Sequence, residues 1–218
     1  MDDSAETPAQ WRVVDVPADR LPGWVTRFER RHGSLTWDAT EESGLRFNAP
    51  DGAVAQVRFA FAGAVVTDWA SLDARLAEPS QFGLVLVRRG GFAVGWVRVD
   101  ELVASRVGTR YVQGTTKAGG WSQQRYARRR ANQADALAQA AGGAVHDVIG
   151  AHLGSGRWPL VGGGDRAMVE QALDASAVPG APGRLAGRWL PVHDPRKAVL
   201  GAAVRQARSA RVSLNELA

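Results

Sequence analysis

The sequence predicts an α/β domain over residues 78–218, preceded by a smaller α+β subdomain over residues 11–77. Three observations carry that expectation. FGLVLVRR and FAVGWVRV are β-rich runs on either side of Gly90-Gly91, the pattern of a tight hairpin. The stretch after Gly120, WSQQRYARRRANQADALAQAAGGAVHDVIGAHL, is rich in Ala, Gln and Arg and reads as a long helix. RWPLVGGGDRAMVEQALDAS then reads as strand, glycine turn and helix, so strands and helices interleave.

Taken in order, residues 1–10 are polar and acidic and read as a disordered tail. A short helix is expected near Leu21: Pro22 suits a first turn, Trp24, Val25 and Phe28 share a side, and Gly33 suits the stop. SLTWDAT, GLRFNAP and AVAQVRFAF alternate as strands do, with Pro50-Asp51-Gly52 as a turn. Residues 68–77, DWASLDARLA, are amphipathic at helical spacing. After the hairpin, VASRVGTRYVQG alternates small or apolar residues with basic ones, as a third strand would. Ser122 is the expected N-cap of the long helix, and Gly142-Gly143 is expected to kink or divide it. Asp165 is the expected cap of the next helix. VPGAPG reads as a loop and GRWLPV as a short strand. DPRKAVLGAAVRQARSARVSL reads as a final helix, capped by Asp194 with Pro195 in its first turn.

Composition narrows the function classes. The chain has 218 residues, enough to bury a core, and no cysteine, so disulfides and thiolate metal sites are excluded. No apolar run is long enough to span a membrane, and the N-terminus lacks the basic and apolar parts of a secretory signal, so a cytoplasmic location and no membrane partner are expected. His32, His146, His152 and His193 are the only histidines. His146 and His152 fall on different faces of a helix, so no metal site is expected, and no cofactor. There is no G-x-S-x-G elbow and no phosphate-binding G-x-x-x-x-G-K-[ST] loop. LVGGGDRA reads as a structural turn, because Asp165 would repel an anion there. Asp68, Asp73, Asp147 and Asp165 are scattered, and nothing in the sequence gathers them into a two-metal site.

Charge placement is more informative. The chain holds 27 Lys and Arg against 22 Asp and Glu, yet Leu102 through Ala134 contains no acidic residue. That stretch carries Arg106, Arg110, Lys117, Arg125, Arg128, Arg129 and Arg130, a basic patch suited to a polyanion such as RNA. Within it lies a loop over residues 113–124, QGTTKAGGWSQQ, which holds no Asp, Glu, His or Cys. Gly119 and Gly120 would let backbone N–H groups approach a reacting centre, and losing one such donor typically costs about 10²–10³ in rate. Gln113, Gln123 and Gln124 could hold a water in line for attack. Trp121 or Tyr126 could stack on a base.

AGGWSQQRYARRR resembles the loop and helix start of the archaeal and eukaryotic class-one peptide release factors, whose Gly-Gly-Gln-Ser is followed by a residue pair and Arg-Phe-Ala-Arg. Gly119, Gly120, Ser122, Arg125, Tyr126, Ala127 and Arg128 fall in register with that pattern. GTRYVQGTTKAGGWSQQRYARRRANQ is more closely similar to the actinobacterial branch of the Vms-like release factor (VLRF) family, peptidyl-tRNA hydrolases related to the factors that free stalled chains from large ribosomal subunits. LVLVRRGGFAVGW upstream and LVGGGDRAMVEQAL downstream extend the resemblance over roughly residues 80–205. It implies an RNase H-like α/β core with the loop projecting between a strand and a long helix. Trp121 occupies the place of the release-factor glutamine. The match of Tyr-Val-Gln-Gly favours Gln113 as the counterpart of the family's essential glutamine, with Gln123 and Gln124 as the alternatives.

The resemblance implies hydrolysis of peptidyl-tRNA on the large ribosomal subunit, with Arg125, Arg128, Arg129 and Arg130 on rRNA or tRNA phosphates. Two other readings stay open: cleavage of the tRNA near its 3′ CCA end, and a non-catalytic rRNA- or tRNA-binding module.

Overall fold

A computed structural model of the chain describes residues 11–40, 44–109, 121–153, 156 and 158–218. The expected disordered tail, residues 1–10, lies outside them. The protein is a mixed α+β molecule with two five-stranded sheets, in keeping with the expected class. It divides into two compact units, Met1–Glu78 with Arg208–Ala218, and Pro79–Ala207.

In the first unit, β1 (Arg12–Val16), β2 (Thr36–Ala39), β3 (Leu45–Asn48), β4 (Val54–Arg58) and the last strand, β10 (Ala210–Leu214), form an antiparallel sheet in the order β1-β10-β4-β3-β2. Helix α1 (Leu21–His32) buries Leu21, Val25 and Phe28 at helical spacing. It stops at Gly33, whose φ of 95° favours glycine and whose N–H donates to the Glu29 carbonyl. Helix α2 (Trp69–Ala77) opens on a reciprocal cap, with Asp68 accepting from the Ser71 N–H and the Ser71 hydroxyl accepting from the Asp68 N–H. These helices share a core with Phe47, Val57 and Val212.

The second unit contains β5 (Gln81–Arg88), β6 (Gly91–Arg98), β7 (Glu101–Thr109), α3 (Trp121–Val145), α4 (Ala151–Leu153), β8 (Leu160–Gly164), α5 (Arg166–Ala175), β9 (Leu185–Leu190) and α6 (Lys197–Arg208). Its sheet has the order β7-β6-β5-β8-β9. β6 runs against β5 and β7, while β8 is parallel to β5 and β9 to β8. The C-terminal ends of β5, β7, β8 and β9 therefore line one end of the sheet, where loops of open α/β sheets commonly bind ligands. One face packs Val85, Val87, Val94 and Trp96 against Leu137, Ala141 and Val145 of α3 and Val169 and Leu173 of α5. On the other face, Leu200 of α6 comes within 3.4 Å of the place a Gly95 Cβ would take.

Several local expectations are corrected. α3 begins at Trp121, so Ser122 lies inside the first turn and is not its N-cap. Gly142-Gly143 does not divide α3. A Cβ at Gly142 would sit 2.9 Å from the Ala172 oxygen and from the Ala175 Cβ, so this glycine lets α3 and α5 approach closely. The irregularity comes later, as a π-helical turn over His146–Gly150. The glycine run of LVGGGD is mostly strand. Gly162 leaves room for the Trp189 ring and Gly163 for Leu86, and only Gly164, at φ 88°, turns the chain. The last helix stops at Arg208, and Ala210–Leu214 pairs with both β1 and β4. Asp194 does not cap that helix, because its carboxylate lies 2.6 Å from Arg196 Nε and the helix starts only at Lys197.

Candidate functional site

β7 ends at Thr109, the last described residue before the predicted loop, and α3 begins at Trp121. Gln113, Gly119 and Gly120, with Arg110 and Lys117, lie outside the described residues. Trp121, Gln123, Gln124, Arg125 and Arg130 are positions on the first part of α3, so both of these glutamines sit on helical backbone. Arg128 and Arg129 are exposed. Among the described side chains of 128–136 none is buried, whereas Leu137, Ala141, Ala144 and Val145 are at or near full burial. The helix thus has a packed part that fixes it and a polar part that reaches beyond the core.

Arg106 belongs to a different element. It is half-exposed on β7, and its guanidinium donates to the Asp147 carboxylate in the π-helical turn. Its charge is therefore partly matched within the fold. His146 and His152 do not meet. His146 Nδ1 lies 3.2 Å from the Ser176 carbonyl, and His152 stacks on Trp96 with ring centroids 5.1 Å apart. Among the described residues no group of three or more His, Asp or Glu could hold a metal ion. Among them, too, no helix is long and apolar enough to cross a membrane.

Sequence reasoning missed a second set of basic residues at the same end of the sheet. The β5–β6 turn presents Arg88 and Arg89, both exposed. Arg88 Nη1 lies 3.2 Å from the Val192 carbonyl and 3.1 Å from His193 Nδ1. Arg166, at the start of α5, lies over the Trp189 ring at 4.2 Å. The dipeptide Arg88-Arg89 beside a glycine pair was the available signal. Its partners stand more than a hundred positions away, so no local pattern could link them.

Comparison with curated proteins returns no match. Residues 80–213 match the family described as the Actinobacteria/chloroflexi VLRF1 release factor, and that span is more than half of the chain. It takes in the sheet of the second unit, the segment between β7 and α3, and α3 with its arginines. The chain belongs to this release-factor family, and with that membership comes a release-factor-like role in translation, at the ribosome.

Proposed function

We propose that the protein is a peptidyl-tRNA hydrolase that frees nascent chains from tRNA on stalled or split large ribosomal subunits, in the cytoplasm. The observation that carries this reading is the position of the acid-free segment. In the sequence it runs from β7, which ends at the C-terminal end of the sheet, into α3, and it includes the glycine pair, the glutamines and the arginines. A mixed sheet with only β6 reversed, flanked by helices on both faces, supports an RNase H-like core.

The bond to be broken is an activated ester, so placing water and stabilising the oxyanion supply most of what is needed. Gln113 would hold the water through its neutral amide, and the Gly119 and Gly120 N–H groups would face the developing oxyanion. Gln123 and Gln124, one turn into α3, are the second choice for the water. Arg125, Arg128, Arg129 and Arg130 would grip rRNA or tRNA phosphates, and Trp121 would stack on a base.

The test is a release assay with peptidyl-tRNA bound to large subunits, in which the 3′ end of the product RNA is sequenced. Released peptide with an intact CCA end is the expected result. A shortened end would replace ester hydrolysis by tRNA cleavage, and binding without any product would leave only an RNA-binding module. Full activity in Gln113→Ala and in Gln123→Ala/Gln124→Ala would sink the glutamine mechanism. With about five phosphates contacted, binding should weaken with salt at a log–log slope of roughly −3.5.

A further inference from the structure

We infer that the Arg88-Arg89 turn is a second phosphate-binding element, built at the root of the loop and separate from the arginines of α3. Its ligand is the sugar–phosphate backbone of the RNA strand that reaches the loop. The choice of RNA rests on the reading above, but the element itself is argued from geometry.

Arg88 is oriented without being neutralised. Its Nη1 is held by the Val192 carbonyl and by His193 Nδ1, a peptide oxygen and an imidazole nitrogen acting as acceptor. Neither carries a negative charge in that role. A guanidinium has five N–H donors in a planar fork, so Nε and Nη2 stay available for a bidentate phosphate contact. Among the described residues no carboxylate is paired with Arg88 or Arg89. Arg89 stands in a two-residue turn with Gly90, whose φ of 102° closes the hairpin and leaves Arg88 opposite Gly91. The nearby carboxylates are engaged elsewhere. Asp165, whose N–H donates to the Val87 carbonyl, accepts from the Met168 N–H, and Asp194, next to His193, lies 2.6 Å from Arg196 Nε.

The element is also in the right place. Arg88, Gly91 and Thr109 lie in one row across β5, β6 and β7. Two strand spacings put the Arg88 backbone about 10 Å from the loop root. Pro195 Cγ and Thr109 Cγ2 come within 3.7 and 3.8 Å of the place a Gly91 Cβ would take, so the segment that holds Arg88 adjoins the same root. An RNA strand whose 3′ end comes to the end of β7 lies within reach of this turn.

The experiment measures binding of a fluorescent acceptor-stem minihelix with a single-stranded CCA end, between about 50 and 200 mM salt. Arg88→Ala/Arg89→Ala should weaken binding about tenfold and make the salt slope shallower by about 1 to 2. Arg89→Ala alone removes a side chain with no hydrogen-bond or ion-pair partner among the described residues. It should give part of the loss with an unchanged melting temperature, which separates lost contact from lost structure. Arg88→Lys/Arg89→Lys should restore most of the slope but less of the affinity, since an ammonium lacks the fork. Wild-type affinity and slope in both alanine variants, or a wild-type protein that does not bind the minihelix, would overturn the inference. Peptide release is read separately. Wild-type protein that binds the minihelix through these arginines but releases no peptide overturns the hydrolase reading and leaves the phosphate element standing.

Discussion

The two parts of α3 obey different rules. From Leu137 to Val145 the helix packs Leu137, Ala141, Ala144 and Val145 into the core, with Gly142 set against α5. Before Ala134 the same helix carries arginines and amides, and Arg128 and Arg129 face solvent. Burial dictates one part and supplies no reason for the other. A helix start with four arginines and no carboxylate gains little stability from pairs among its own side chains. The difference between the two parts therefore separates what holds the fold from what the fold presents.

The largest effect expected from breaking this separation is on release. Gln113→Ala should lower peptide release about 10²-fold or more while the melting temperature stays unchanged, since misplaced water costs rate and not packing. A variant that lost both together would place Gln113 in the structural class instead. Next comes a pair of neighbours in the packed part. Gly142→Ala forces a methyl to within 2.9 Å of backbone atoms of α5 and should destabilise the protein by about 1–3 kcal/mol. Gly143→Ala meets nothing within 4 Å, is exposed, and should stabilise by about 0.4–1 kcal/mol through the unfolded chain. Opposite signs at adjacent glycines, read by thermal or urea unfolding, would confirm that α5 contact and not helix propensity decides the site.

How far the sequence reveals this arrangement depends on the range of the forces involved. The β5–β6 hairpin, α1, α2 and the Asp165 cap are short-range features, and their patterns are visible in consecutive residues. β10 was not visible. Ala210, Val212 and Leu214 continue an apolar pattern from α6, and only pairing with β1 and β4, more than 150 positions away, makes them strand. β1 itself gave no helical or turn signal strong enough to notice. The glycine run misled for a related reason. Glycines suggest a turn, but Gly162 is required by the Trp189 ring, which belongs to a different strand. At the site, the basic run on α3 was legible because its charges are contiguous, whereas the Arg88–His193 contact spans 105 positions.

A smaller effect is expected on the exposed part of α3. Arg128→Ala/Arg129→Ala should make the salt slope of RNA binding shallower by about 2 and leave the unfolding midpoint within the range of ordinary surface changes, about 0.5 kcal/mol. Loss of stability in this variant would mean that these arginines have a packing role, and the division within α3 would blur.

The smallest effect comes from Arg106, a sequence-predicted arginine that the fold has already matched. Arg106 on β7 and Asp147 in the π-helical turn pair at roughly half exposure, and exposed pairs contribute only about 0.2–1 kcal/mol. Asp147→Asn removes the carboxylate but keeps a similar shape, so the stability loss should stay in that range. Its effect on RNA binding separates two roles for Arg106. If Arg106 contacts RNA, freeing its charge should strengthen binding by a few-fold and steepen the salt slope, and Arg106→Ala should reverse both. If it only ties β7 to the end of α3, the two variants should share the same small loss of stability and the binding curve should not move. The outcome fixes where the RNA-facing surface stops: at the arginines of α3, or down along β7 to the turn that follows the packed part.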